Sequence, residues 1–192
     1  MGIPNGKVDD VRLPKPDREA RFRAIYADAY GDVLRFARRR VHPSHAEDAT
    51  ADAFLVAWRR FDDAPSGKDD VRAWLFGIAR NCLLNARRGQ GRRDALAVRV
   101  AETAPSDGAV HGLDADLVAR RIDLAAAWRR LGESDQETLS LAVFEDLTSP
   151  QAARVLGITP VSYRLRLLRA RRALRRQLDL AEPSSFVPVE AR

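Results

Sequence analysis

Apolar residues recur every three to four positions over most of this chain, which is the spacing of an amphipathic helix rather than of a strand. Residues 18–61 contain two successive sets of this kind, separated near Pro43, and a third set occupies residues 71–88. Residues 62–70, with the sequence DDAPSGKDD, have the composition of a loop. The pattern therefore predicts three helices in the first part of the chain.

Helical spacing is lost and then returns further along the chain. Residues 94–116 mix glycine, proline, serine and acids without a steady period, which predicts a flexible linker. Periodicity resumes at Leu117, with one helix expected through residues 128–131 and another around residues 138–144.

The resulting organisation is all-α, with two small helical domains joined by a flexible linker. The domains are predicted at residues 18–93, a three-helix bundle, and at residues 117–180. A chain of 192 residues is long enough for two small cores. Residues 1–17 and 181–192 show no helical period and are predicted to be disordered tails.

The second domain contains two helix-start signals in close succession. Ser149 precedes Pro150, and Thr159 precedes Pro160, so each pair places a capping hydroxyl before a proline. Gly157 lies between them and suits a tight turn. A short helix, a turn and a longer helix form the pattern of a helix-turn-helix.

The distribution of charge indicates what kind of partner this motif binds. The net charge is +6, and residues 147–178 contain eight arginines and no acid. A solvated face usually interleaves both signs, so a run of one sign in the second helix of a helix-turn-helix favours DNA. The residues expected to face base edges or phosphates are Pro160, Val161, Ser162, Arg164, Arg166 and Arg169, while Tyr163, Leu167, Ala170 and Leu174 are expected to pack inward.

The third helix of the first domain has the same asymmetry, because residues 71–93 contain arginines and no acid. Trp74 and Phe76 are suited to stacking on unpaired bases, and equally to a place in the core, since they lie in an apolar run. Asn81 and Asn85 are candidate base readers.

The second helix carries a cluster of acids. Asp48 and Asp52 lie one turn apart, but no third metal ligand or phosphate-binding loop accompanies them. We interpret them as a face for a protein partner rather than as a catalytic pair, and expect no enzyme activity. A metal-dependent nuclease remains the enzymatic alternative.

Other classes of function are not favoured by the composition. Cys82 is the single cysteine, so an intramolecular disulfide is impossible, and its apolar surroundings predict a buried thiol. The three histidines lack zinc-site spacing, and no metal or cofactor is expected. No stretch approaches the ~20 apolar residues of a membrane span, and no signal peptide is indicated, so a cytoplasmic protein without membrane insertion is expected.

Two blocks of sequence resemble the sigma-70 family. The string AEDATADAFLVAWRRF at residues 46–61, followed by WLFGIARNCLLNARR at residues 74–88, resembles sigma region 2. Residues 131–174 resemble sigma region 4, and the order of the two blocks across a linker is that of the extracytoplasmic-function (ECF) group. The resemblance implies an RNA polymerase sigma factor that directs promoter-specific initiation.

The resemblance also implies roles for individual residues and partners. The partners would be core RNA polymerase, promoter DNA and, as for many members of the family, an anti-sigma factor. Region 4 would read the minus-35 element through the residues given above for the helix-turn-helix. Residues implied to bind the polymerase are Asp48, Asp52, Phe54, Arg59 and Arg60, and those implied to bind the minus-10 element are Arg72, Trp74, Arg80, Asn81, Asn85, Arg87 and Arg88.

The sequence departs from the family pattern at some positions, among them Ala51, Gly132 and residues 149–153, and the promoter sequence is not implied. A stand-alone helix-turn-helix transcription regulator is the alternative. It would explain residues 147–178 but would leave the second basic helix and the acidic face without a role. Half-site symmetry and tight promoter binding without polymerase would favour it.

Overall fold

The computed structural model describes residues 17–89, which we call the first half, and residues 115–180, which we call the second half. These ranges contain helices and turns and no strand, so the all-α prediction is confirmed. The helices are α1 (Arg18–Arg38), α2 (Pro43–Arg59), α3 (Lys68–Gly89), α4 (Ala115–Arg129), α5 (Glu133–Val143), α6 (Ser149–Leu156) and α7 (Pro160–Asp179), with a 3₁₀ turn at Phe61–Asp63.

Helices α1, α2 and α3 pack against one another around an aromatic core. The rings of Phe36 in α1 and Phe76 in α3 stack at 4.8 Å, and both side chains are completely buried. Phe76 is therefore a core residue, the second of the two roles that the sequence allowed. Phe22 packs edge-on against Trp58 at 5.0 Å and against Phe61 at 5.4 Å, which fixes the end of α2 against the start of α1.

Helix α3 begins three residues earlier than the periodicity predicted. Its first turn contains Asp69 and Asp70, and the amide of Val71 donates to the carbonyl of Gly67 at 2.8 Å. Carboxylates stabilise a helix N-terminus electrostatically, so these acids favour a helix start where their composition had indicated a loop.

The helix-turn-helix of the second half is confirmed. Gly157 ends α6 in the left-handed region with φ 68°, which few residues other than glycine adopt without strain. Thr159 then caps α7, because its Oγ1 accepts from the amide of Ser162 at 3.1 Å. The predicted cap of α6 was wrong by one residue: the N-cap is Thr148, whose amide and hydroxyl both donate to Oε1 of Gln151, at 3.0 and 2.8 Å.

The two halves lie in contact, along α3 of the first and α6 of the second. One apolar core runs across this contact and includes Leu75 and Ile78 of α3 together with Ala152 and Val155 of α6. Gly77 faces the backbone of Val155, where a Cβ would lie 3.8 Å from the Cα of Val155. In this arrangement the two halves, which correspond to the two predicted helical domains, share one apolar core.

Most of the predicted linker and tails lie outside the described residues. The exceptions are residues 115 and 116, which belong to α4 rather than to the linker, and Asp17, which precedes α1. In the part of the chain that the structure describes, no helix has both the length and the apolar character needed to cross a bilayer.

Candidate nucleic-acid and partner surfaces

Helix α7 presents the residues predicted to bind duplex DNA. Tyr163 and Ala170 are buried, and Leu167 and Leu174 pack partly buried against the core, so the predicted inward face is confirmed. The phenol of Tyr163 donates to the carbonyl of Thr138 at 3.1 Å, which ties α7 to α5. The predicted DNA-binding residues are all exposed on the remainder of the helix: Pro160, Val161, Ser162, Arg164, Arg166 and Arg169.

The electrostatic field around α7 is positive. Its seven arginines are exposed, and no carboxylate of the described residues forms an ion pair with any of them. Arginine forks match phosphate geometry, and the lack of ion pairs leaves their charge uncompensated; the acid of α7 itself, Asp179, lies at the C-terminal end of the helix. The face is therefore suited to a polyanion.

The basic residues of α3 are divided between the interior of the molecule and its surface. Arg80 forms a bidentate pair with Glu137 of α5, with Nε and Nη2 at 2.7 and 3.0 Å from the two carboxylate oxygens. Arg72 donates from Nη2 to the carbonyl of Glu145 at 2.9 Å. In this arrangement, both predicted DNA contacts are therefore engaged by the second half of the chain.

The other predicted minus-10 residues of α3 differ in exposure. Asn81 and Asn85 are exposed, Trp74 is half-buried against the core, and Arg87 lies 3.7 Å from Glu133. The side chain of Arg88 lies outside the described residues. Trp74 and Asn81 line a cavity of about 320 Å³, bordered also by Arg60, Pro65 and Arg154.

A buried charge cluster, which we call the Arg40 cluster, joins the two halves at the end of α1. Arg40 donates to the carbonyl of Phe36 and the hydroxyl of Ser140, both at 2.9 Å, and to the carboxylate of Glu145 at 3.3 Å. Arg39 reaches the same carboxylate at 3.3 Å. Burial lowers the pKa of Arg40 to about 10, against the opposing effect of Glu145 and Glu137.

Sequence reasoning missed the Arg40 cluster. A completely buried arginine is rare unless it is paired, and Arg40 lies in the basic string ARRRV, which predicts exposed side chains. The available signal was the acidic character of residues 133–146, which contrasts with the basic helices on either side.

A further polar contact joins the halves, here with the arginine in the second half and the carboxylate in the first. Arg154 of α6 lies 2.6 Å from the carboxylate of Asp70 in α3, and Gln151 donates to the same carboxylate at 3.4 Å. Arg154, one of the eight arginines of the basic run, is thus turned toward the first half rather than toward the outer face of α7.

The acidic face of α2 is open to solvent. Asp48 and Asp52 are exposed, as are Arg59 and Arg60 at the end of the helix. Phe54 is 4% exposed and packs against Tyr26 at 4.7 Å between ring centroids. Phe54 is therefore a core residue beneath this face in the free chain, and its implied role in polymerase binding stays a prediction.

Other reactive groups show no catalytic arrangement. The described residues include no group of three or more His, Cys, Asp and Glu side chains able to hold a metal ion. Cys82 is half-buried rather than fully buried, and burial raises the pKa of its thiol, which lowers its reactivity at neutral pH.

Both halves of the chain match models of known protein families. The model for Sigma-70 region 2 matches residues 25–93, and the model for Sigma-70, region 4 matches residues 121–174. The chain is 32% identical over 138 residues to the RNA polymerase sigma factor NccH of Alcaligenes xylosoxydans xylosoxydans, covering 70% of this chain and 73% of that protein. The chain belongs to the sigma-70 family.

Further relatives place this sigma factor in the ECF group. It is 28% identical over 161 residues to the ECF RNA polymerase sigma factor SigL of Mycobacterium tuberculosis, which covers 83% of this chain and 90% of the relative. Its fold is similar to that of the sigma factor RpoE in complex with the anti-sigma factor NepR from Bartonella quintana, with a TM-score of 0.58, 22% identity, and coverage of 83% and 98% of the two chains. The structure of CnrH in complex with the cytosolic domain of CnrY gives a TM-score of 0.54, 25% identity, and coverage of 86% and 91%.

Proposed function

We propose that this ECF sigma factor binds core polymerase through its first half and reads promoter DNA with both halves. In this proposal the domains are residues 18–93 for polymerase and the minus-10 element, and residues 117–180 for the minus-35 element. The observation that carries it is the exposed arginine-rich face of α7 on a helix-turn-helix, without an acid before Asp179, in a chain matched by both sigma region models.

The minus-35 element would be read as duplex by α7. The N-terminal part of the second helix of a helix-turn-helix enters the major groove, and here it carries Val161, Arg164 and Arg166 on the surface. Arg169 and the arginines beyond it lie further along the helix and would hold the phosphate backbone.

The minus-10 element would be read as melted single strand on α3. The cavity beside Trp74 has an aromatic wall, the exposed amide of Asn81 and, from the first half itself, the arginine Arg60 at its border. An extruded base needs a stacking surface, a hydrogen-bonding group for its edge and a cation for its phosphate. Extrusion costs a few kcal/mol, so the free chain should bind the duplex promoter weakly and the polymerase must support melting.

DNA binding would require the two halves to separate. Arg72 and Arg80 are held by the second half, so they reach DNA phosphate only after α5 has moved away. Each arginine would then exchange a protein acceptor for a phosphate oxygen, a similar charge-assisted bond. The closed arrangement of the structure would thus be a resting state of the free chain.

Two kinds of protein partner are included in the proposal. Core polymerase would dock on α2, where Asp48, Asp52 and Arg59 share an exposed surface. An anti-sigma factor is the second partner, supported by the similarity to CnrH, whose structure was solved in complex with the cytosolic domain of CnrY. In this proposal it would stabilise the closed arrangement. Because polymerase is cytoplasmic, the chain would act in the cytoplasm.

The proposal is tested by in-vitro transcription from fragmented genomic DNA with core polymerase, with and without this chain. New transcript starts that share two upstream elements are expected with the wild type and are expected to be lost in the Asp48→Ala, Asp52→Ala double variant. Glu19→Ala, which removes an exposed acid from α1, is the matched control and should transcribe normally. The proposal fails if no new starts occur and the free chain binds duplex DNA tightly, the result expected of a stand-alone regulator.

A further inference from the structure

The outermost ridge of α7 is apolar, although the helix is rich in arginine. Val161, Leu165 and Leu168 recur at helical spacing and are 57%, 51% and 46% exposed. At about 100° per residue, Val161 and Leu165 lie opposite Tyr163 and Leu167, which face the core. These two side chains therefore project furthest from the body of the second half.

The tip of the recognition helix offers few hydrogen bonds to a base. Pro160 has no amide hydrogen, and Ser162 is held at the helix cap, where its hydroxyl oxygen accepts from Thr159 at 2.9 Å. Ser162 also lies on the side of the helix rather than on the ridge. Arg164 and Arg166 lie on opposite sides of the ridge, so their positions suit the phosphates that border a groove.

The arginines on either side of the ridge indicate which kind of ligand it would contact. An apolar protein surface would leave Arg164 and Arg166 without acceptors, whereas the major groove offers an apolar group with phosphates on both sides. On the major-groove edges of the bases, that apolar group is the C5-methyl of thymine. An apolar side chain against any other edge would desolvate donors or acceptors without replacing their bonds.

We propose that Val161 and Leu165 are specificity-determining residues that read thymine methyl groups in the duplex bound by α7. This inference rests on the proposed function, since it assigns base contacts within the minus-35 element. Leu168 continues the ridge one turn further from the tip and contacts no base.

The test replaces thymine with deoxyuracil, which lacks the methyl group but keeps every hydrogen-bonding group of the base. Duplexes are selected from a random pool twice, once with the full chain bound to core polymerase and once with the full chain alone. Each thymine of the selected element is then replaced in turn. We expect at least one replacement to weaken binding by about fourfold, the effect of losing one buried methyl-sized group.

Variants assign the methyl contact to its side chain. Val161→Ala or Leu165→Ala should bind the thymine and deoxyuracil duplexes equally at the affected position, whereas Leu168→Ala should keep the wild-type difference. All three side chains are exposed, so thermal unfolding followed by circular dichroism should show unchanged stability. As a control for position, 5-methylcytosine replaces cytosine at a neighbouring step, which places a methyl group there instead.

The outcomes separate this inference from the proposed function. If polymerase-dependent transcription fails but the chain alone selects duplexes with a methyl dependence that Val161→Ala or Leu165→Ala removes, the inference holds and the sigma mechanism fails. If transcription is promoter-specific but no thymine can be replaced with loss of binding, the inference is overturned and the sigma mechanism stands. Selected duplexes that lack thymine in both selections overturn it as well.

Discussion

The carboxylate of Glu145 lies 3.3 Å from the guanidinium of Arg40, and the two side chains are 4% and 0% exposed. The pair crosses the contact between the two halves, with Arg40 at the end of α1 and Glu145 in the turn that follows α5. Taking a guanidinium out of water is costly unless its charge is matched, so closure of the halves depends on Glu145 being present.

Replacing Glu145 with alanine should therefore open the chain. Arg40 would be left buried without its counter-charge, a change that typically costs about 3–5 kcal/mol. We expect the radius of gyration from small-angle X-ray scattering to increase and amide exchange to accelerate where α3 faces α6. Glu47→Ala, which removes an exposed pair with Arg38 at 3.5 Å, is the control and should remain closed. An unchanged radius for Glu145→Ala would show that the cluster does not hold the halves together.

The bidentate pair between Arg80 and Glu137 should oppose DNA binding by the free chain. Charge-assisted hydrogen bonds of this kind contribute about 1.5–3 kcal/mol, so Glu137→Ala should raise the affinity for a melted minus-10 oligonucleotide about tenfold. Arg80→Ala should lower that affinity in the polymerase complex, and the double variant should show no gain over Arg80→Ala alone. Fluorescence anisotropy with a labelled oligonucleotide measures all three.

A gain in affinity for Glu137→Ala that persists in the Arg80→Ala background would contradict this exchange of partners. The increase would then come from the loss of a negative charge near the DNA. Glu133→Ala tests the same point, because it removes an acid that lies one turn away and is 3.7 Å from Arg87 rather than Arg80.

At Gly77, separation of the two halves can be tested by increasing side-chain size instead of removing a charge. An alanine Cβ at this position would meet the Cα of Val155 at 3.8 Å, an ordinary contact, so Gly77→Ala should leave the chain closed. It should also stabilise α3 by up to about 1 kcal/mol, the usual difference between the two residues in a helix. Gly77→Leu adds a branched side chain where α3 faces the α6 backbone and is expected to separate the halves, with an increase in the radius of gyration like that of Glu145→Ala. A closed Gly77→Leu variant would show that α6 moves aside locally.

The contrast between α7 and the Arg40 cluster shows which features of the fold can be predicted from the sequence. Thr159, Pro160 and Gly157 determine local backbone geometry, and Tyr163 with Leu167 repeats at helical spacing, so neighbouring residues suffice to predict α7 and its inward face. Arg40 and Glu145 are 105 positions apart, and a pair so distant leaves no periodic signature. The burial of Phe54 could not be predicted for a related reason: it is decided by the packing of α1 against α2, which the spacing within α2 does not show.

The contribution of Tyr163 to stability should fall at high pH. Burial raises the pKa of its phenol to about 12, so in the unfolded chain it loses its proton near pH 10 while the folded chain still holds it. The unfolded state then binds fewer protons, and stability decreases as the pH rises from about 10 to about 12, by roughly 2–3 kcal/mol. Below pH 10 the phenol is neutral in both states and has no such effect.

The variant Tyr163→Phe isolates this contribution. It loses the hydrogen bond to Thr138, about 1 kcal/mol at neutral pH, but should become more stable than the wild type near pH 12. Arg40, whose pKa is lowered to about 10, acts in the opposite direction over the same range, and because it is common to both chains its effect cancels in the comparison. Urea unfolding at several pH values measures the difference. Parallel curves for the two chains up to pH 12 would mean that the phenol of Tyr163 reaches solvent and ionises in the folded state.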